Sequence, residues 1–213
     1  LVIRKLQQIE LQLISLTNQK KELELKDLTM KLKIKVKEIV KGLYTEAKDG
    51  KGNLVPFINP IGDCIDLRAA ADYEFEAPQA GILHQKDGVK TRDVKFDEKL
   101  IKLGIAMQLP KGFSAKIKQR SSTTKKLRLV MASSGFIDTV YCGDNDEWGF
   151  YCYSVDKTTI HKGERVCQFE IVPNQFATVW QKLKWLFSSK IEFEWVDKLG
   201  NADRGGHGST GTN

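Results

Sequence analysis

Apolar and polar positions change period near residue 28. Val2, Leu6, Ile9, Leu13, Leu16 and Leu23 follow alternating three- and four-residue steps, with Lys20 interrupting one position. That spacing predicts an amphipathic helix, and about three heptads is the lower limit for a coiled coil. A helix lying on its own domain is the equal alternative. From Met30 to Val36 the period drops to two, with Met30, Leu32, Ile34 and Val36 alternating with Lys31, Lys33 and Lys35. This predicts a half-buried strand, its lysines suited to a sheet edge where they discourage unwanted pairing.

Short β-like runs follow, among them Leu100–Leu109, Phe136–Val140, Gly149–Val155 and Arg165–Val172. Turn signals such as Asp49-Gly50, Asn59-Pro60, Gly62-Asp63, Asp87-Gly88 and Lys162-Gly163 separate them. The spacing predicts an all-β barrel or sandwich. Phe176–Phe187 breaks the pattern, because Trp180, Leu183, Trp185, Leu186 and Phe187 are dense among Lys and Gln, and a helical insertion at about 176–189 is expected. The expected organisation is a helical extension over 1–28, a β domain over 29–203 and a flexible glycine-rich tail over 204–213.

Composition narrows the class. The chain has 213 residues, with hydrophobic residues at 41% and charged residues at 29%, as in ordinary globular proteins and unlike disordered ones. No uncharged apolar run approaches the ~18–20 residues that span a bilayer, and a secretory signal is not expected at the charged N-terminus. Cys64, Cys142, Cys152 and Cys167 form no CxxC pair, and with three histidines in the chain a zinc site is not expected; four reduced thiols suit the cytoplasm. The net charge of +7 suggests nucleic acid at first, but residues 1–41 hold ten basic and five acidic side chains, leaving 24 and 22 for the rest. The excess therefore belongs to the terminal segment, and no nucleic-acid partner is expected for the main domain.

Five segments carry candidate chemistry. In Gly62-Asp63-Cys64-Ile65-Asp66-Leu67 two carboxylates lie close together, enough for a hydrated Mg²⁺. Arg120-Ser121-Ser122 offers a cation and adjacent hydroxyls suited to phosphate, though such a loop is common. Gly135–Asp144 sets Asp138 inside an apolar hairpin, where it is either a turn-stabilising residue or a base holding a water. Lys162–Phe169 is a turn leading into a strand. Finally RGGHGSTG at 204–211 combines glycines, Arg204, Ser209 and Thr210, which is either a polyphosphate cradle or a plain flexible tail. It is not a Walker loop, since no Gly-Lys-Ser/Thr follows.

Taken in order, GDCIDLRAA, QRSST, GFIDTVYCGD, HKGERVCQF and RGGHGSTG resemble the five motifs of the trimeric dUTPase family, over roughly residues 30–213. GDNDEW at 143–148 and LGNADRGG before the tail are most similar to phage and prophage members. The resemblance implies a jelly-roll-type β-barrel and a homotrimer whose active sites are shared between subunits, the tail closing over a neighbour. The reaction implied is hydrolysis of dUTP to dUMP and pyrophosphate with Mg²⁺, by water attack on the α-phosphorus.

The implied roles follow the motifs. Asp138 holds and deprotonates the water, and Asp66 orders Mg²⁺ through its water shell. Arg120, Ser121, Ser122, Gln168, Arg204, Ser209 and Thr210 contact phosphates or ordered water. Gly135, Phe136 and Ile137 form the uracil hairpin, and Tyr141 packs against deoxyribose, leaving no room for a 2′-hydroxyl. The chain departs from the usual pattern at Asp63-Cys64-Ile65, Gln119 and Glu164, and at His207, where many members carry a Phe stacked over uracil; an imidazole is smaller and titrates near pH ~6.5. A dCTP deaminase shares the implied fold and is the rival enzyme, argued against by the tail and by Tyr141. A protein-binding regulatory role is the other alternative, through the N-terminal helix or residues 180–187.

Overall fold

The computed structural model describes residues 32–58, 62–187 and 191–206. The N-terminal helical extension expected over 1–28, and the tail residues His207, Ser209 and Thr210, lie outside the described residues.

The described chain is built mainly of strands, fourteen in all, in chain order β1 (Leu32–Glu38), β2 (Ile65–Arg68), β3 (Tyr73–Phe75), β4 (Gln79–Lys86), β5 (Val89–Lys95), β6 (Glu98–Lys102), β7 (Ile105–Gln108), β8 (Phe113–Gln119), β9 (Leu129–Met131), β10 (Gly135–Ile137), β11 (Gly149–Ser154), β12 (Thr158–Ile160), β13 (Arg165–Pro173) and β14 (Ile191–Trp195), with helix α1 (Val179–Phe187) between the last two. Alternation decides the buried faces: Leu32, Ile34 and Val36 of β1 are buried while Lys33 and Lys35 are exposed, and Phe150, Cys152 and Ser154 of β11 point inward.

Two expectations need correction. β1 is not an edge strand: it lies between β14, to which it runs parallel, and β7, to which it runs antiparallel. Its lysines protect a solvated face, not an open edge. Leu100–Leu109 is not one strand either, because Gly104 interrupts it with φ 66°, and β6 and β7 enter different sheets. A β-carbon at Gly104 would stand 2.6 Å from Leu43 Cδ2, so both the turn and the packing require glycine.

The strands form the sheets β14-β1-β7, β10-β8-β13-β2, β6-β11-β9, β12-β3 and β4-β5. The described residues are therefore mostly β. Among the described residues no ladder closes into a continuous barrel, since breaks such as Gly104 divide the hydrogen bonding into separate sheets. Four of these sheets share one core, to which the exposed β4-β5 hairpin adds no residue, and Phe169 of β13 is set edge-on to Trp148 at 5.2 Å between ring centres. Fully burying side chains of this size contributes roughly 1.5–3 kcal/mol each, which makes this cluster a main source of stability.

The helix α1 falls within the span where the helical insertion is expected. Thr178 and Gln181 cap its start reciprocally, the Gln181 N–H donating to Thr178 Oγ1 (3.2 Å) and the Thr178 N–H to Gln181 Oε1 (2.8 Å). Trp185 packs on Phe113 with ring centres 5.4 Å apart, while Trp180, Leu186 and Phe187 are exposed. Residues 188–189 of the expected insertion lie outside the described ones.

Candidate active site

The candidate residues fall into two groups. The first lines an open cleft of about 450 Å³, within the range of small-molecule sites. Gly135, Phe136, Ile137, Asp138, Tyr141 and Arg204 all border it. β10 supplies the hairpin and, among the described residues, pairs only with β8, so its outer side keeps main-chain groups for a ligand. A β-carbon on Gly135 would approach Ile117 Cβ to 2.6 Å, so the close β10–β8 packing requires glycine there.

Within the hairpin, Ile137 is buried and Phe136 exposed, so one apolar side anchors the strand and the other faces outward. Asp138 follows directly. Its side chain is 50% exposed and its Oδ2 accepts a 2.9 Å hydrogen bond from Arg204 Nη1. The partial exposure removes the burial problem that an acid in an apolar hairpin poses. Tyr141 donates its hydroxyl to the Glu147 carbonyl (2.9 Å), which fixes the ring along the cleft; burial pushes its phenol pKa above the ordinary value.

The second group lies at the ends of β2, β8 and β13. Antiparallel register sets Gln168 opposite Asp66, and Arg120 leaves the end of β8 to turn back toward them. Asp66 accepts from Arg120 Nε at 2.7 Å and from Arg165 Nη1 at 2.9 Å. Arg120 Nη1 also donates to Ser122 Oγ (3.3 Å) and to the Arg165 carbonyl (3.2 Å). Thr123, buried, ties this loop to β13 by donating to the Val166 carbonyl at 2.9 Å. Ser121 is exposed beside them. Arg120, Ser122 and Arg165 border a shallow cavity of about 300 Å³.

Asp66, Arg120, Ser121, Ser122 and Gln168 do not border the cleft that holds Asp138, so one chain presents the two groups in separate places. Among the described residues there is no cluster of three or more His, Cys, Asp or Glu that could hold a metal. A water-shelled Mg²⁺ needs less, one or two carboxylates with substrate phosphates completing its shell. Asp66 fits that demand: each oxygen takes one arginine, and a carboxylate has about four acceptor sites.

Several residues of the site escaped the sequence reading. Arg165 joins Asp66, and Lys102, Asn145 and Glu147 border the cleft. Asp144, Asp146 and Asp203 bind the chain before the tail to the loop after Tyr141. Asp144 accepts from the Leu199 N–H (2.8 Å) and pairs with Lys37 Nζ (3.1 Å), and these contacts hold its carboxyl below the usual range. Asp203 accepts from the Asn145 N–H (2.8 Å) and Nδ2 (2.7 Å), with the same effect on its carboxyl. The acidic run at 144–147 was the visible signal, but Asp144 and Asp146 bind the N–H groups of Leu199, Arg204 and Gly205, more than fifty residues away.

All four cysteines are free. Burial pushes the Cys152 thiol up to about 12 and Cys167 well above its ordinary value, which suits inert packing residues. Among the described residues no helix is long and apolar enough to cross a membrane.

An all-β chain with an edge-strand hairpin, a water-accessible carboxylate and arginines at the site has the features of a nucleotide-hydrolysing enzyme. No family model matches the chain. Over 153 residues it is 42% identical to the SPbeta prophage-derived deoxyuridine 5′-triphosphate nucleotidohydrolase YosS of Bacillus subtilis, covering 71% of this chain and 85% of that protein. It is 35% identical over 119 residues to the deoxyuridine 5′-triphosphate nucleotidohydrolase of a Hydrogenobaculum species, covering 54% of this chain and 72% of the relative. Among solved structures, the dUTPase of Streptococcus mutans aligns with a TM-score of 0.45 and 20% identity, over 63% of this chain and 94% of that one. The chain belongs to the dUTPase family, the deoxyuridine 5′-triphosphate nucleotidohydrolases.

Proposed function

We propose that this protein hydrolyses dUTP to dUMP and pyrophosphate. The observation that carries the reading is the cleft that joins the β10 edge, Asp138, Tyr141 and Arg204, in a chain 42% identical to a prophage deoxyuridine 5′-triphosphate nucleotidohydrolase.

The open side of β10 offers uracil main-chain donors and acceptors. Tyr141, held by its hydroxyl bond to the Glu147 carbonyl, presents a ring face to the deoxyribose. A ring fixed there rejects a 2′-hydroxyl by shape. Asp138 accepts one proton of the attacking water and directs its oxygen at the α-phosphorus; pyrophosphate leaves. Arg120, Ser121, Ser122 and Gln168 bind the phosphate chain, and Arg204, Ser209 and Thr210 bind its far end. Asp66 would hold Mg²⁺ through water, and the ion would supply charge neutralisation for the leaving group. His207 stands in the sequence where many family members carry a Phe, and its smaller ring would stack less closely over the base.

The separation of Asp66, Arg120 and Gln168 from the cleft within one chain supports a trimer of jelly-roll subunits in which each complete site takes residues from neighbours. The Arg204 and Gly205 backbone N–H groups bind Asp146 of their own chain. Four free cysteines support a cytoplasmic setting. A further role in protein binding is favoured by the exposed Trp180, Leu186 and Phe187 of α1. The test of the activity is pyrophosphate release from dUTP against dCTP, dTTP and UTP with Mg²⁺ present. Selective release from dUTP is expected; equal turnover of all four, or ammonia release from dCTP, contradicts the assignment.

A further inference from the structure

The root of the tail is tied down by one buried acid. Asp146 is 1% exposed, one of four buried polar residues among the described ones. Its Oδ2 accepts from the Gly143 N–H at 2.8 Å, both its oxygens accept from the Arg204 N–H at 3.0 Å, and its Oδ1 accepts from the Gly205 N–H at 3.1 Å. A carboxylate satisfied by backbone N–H groups on two segments is a strong, charge-assisted clamp. It joins the loop that follows Tyr141 and Cys142 to the first residues of the tail. Around it, Asp203 receives both donors of Asn145, and Asn201 Nδ2 donates to the Cys142 carbonyl at 3.2 Å.

The clamp acts on backbone only. With the Arg204 main chain held, its side chain remains 36% exposed and reaches Asp138 Oδ2 at 2.9 Å across the cleft. We propose that Asp146 is a positioning residue: it fixes the pivot from which the Arg204 guanidinium swings between Asp138 and an incoming phosphate group. In this structure the guanidinium covers the carboxylate. With nucleotide it turns to the triphosphate, leaving Asp138 open to water, while the pivot stays in place. The surface-exposed Arg204–Asp138 pair is weak enough to be exchanged, and the buried Asp146 clamp is not. The kinetic part of this inference rests on the dUTPase reading; the clamp itself does not.

The test uses the full chain and the variant Asp146→Asn, which keeps shape but turns an amide toward N–H donors. Trypsin cleavage at Arg204–Gly205, followed by mass spectrometry, reads the pivot directly. The native chain is expected to resist cleavage there, and the variant to be cut at least about tenfold faster at unchanged secondary structure. For dUTP, kcat/KM is expected to fall about 10- to 100-fold, the range for leaving buried donors unpaired. The loss should not add to that of a chain truncated before Arg204, because both remove the same device.

Cleavage and kinetics equal to the native chain overturn the proposal, as does a loss that fully adds to the truncation, which would assign Asp146 to the fold of the cleft. If Asp146→Asn does not fold, Asp203→Asn tests the same root from its exposed side. Faster cleavage at Arg204 then supports the pivot and unchanged cleavage overturns it. A native chain that does not turn over dUTP refutes the dUTPase reading alone, since the cleavage comparison still decides the clamp.

Discussion

Replacing Asp138 with Asn is expected to lower kcat for dUTP by about 10²–10⁴, the range for loss of a positioned general base. The amide keeps the side chain's size and retains an oxygen that can accept from Arg204, so the geometry of the cleft survives while the proton acceptor is lost. Stability should change little, because Asp138 is half exposed and its ion pair with Arg204 lies at the surface. KM should stay within a few-fold of the native value, since the phosphate-binding side chains are untouched. Steady-state kinetics beside a thermal melt checks both halves. An unchanged kcat would show that the water is activated elsewhere.

The largest expected effect on stability is at Phe169. It is fully buried on β13, whose neighbours are β8 and β2, and its ring meets Trp148 at 5.2 Å, Phe57 at 6.3 Å and Phe193 at 6.4 Å. Phe169→Ala removes the ring and leaves a cavity between sheets that cannot collapse freely. The cost should be about 3–5 kcal/mol, large against a total of roughly 5–15 kcal/mol. A guanidinium midpoint measurement checks it: a clear drop is expected, whereas a loss under about 1 kcal/mol would mean that the sheets do not share this core. Activity should fall with it, because Gln168, next along β13, faces Asp66 through the same register.

These two residues differ in how visible they were in the sequence. Asp138 stood out as an acid among Phe136, Ile137 and Val140, and in the structure it borders the cleft with the hairpin residues and Tyr141. Phe169 could be placed on a strand, but not at the junction of three elements. The β content, α1 and the buried face of β1 were legible because alternation and helical spacing are local. The position of β1 was not: lysines on every second residue look the same on an edge strand and on a central strand with one solvated face. Its partner β14 lies at Ile191–Trp195, and no local signal announces a parallel pairing across so long a separation.

The site shows the same division. Arg120 and Asp66 were expected at phosphate and metal, and the structure pairs them with each other, with Arg165 joining from β13. Arg204 was expected at phosphate, and its side chain instead lies on Asp138. Which opposite charge each group meets is set by the fold, and a motif cannot reveal it. Asp146 was harder still, because its importance comes from N–H groups at Arg204 and Gly205, brought to it only by the fold. Composition had already removed one distraction: the basic excess belongs mainly to residues 1–41, outside the sequence segments that line the cleft.

The most direct test of the central claim is turnover of dUTP in ¹⁸O-labelled water with Mg²⁺, followed by mass spectrometry of both products. Attack by the Asp138-bound water at the α-phosphorus places the label in dUMP and leaves pyrophosphate unlabelled. Label in pyrophosphate or in inorganic phosphate, or no cleavage of dUTP, would contradict the account.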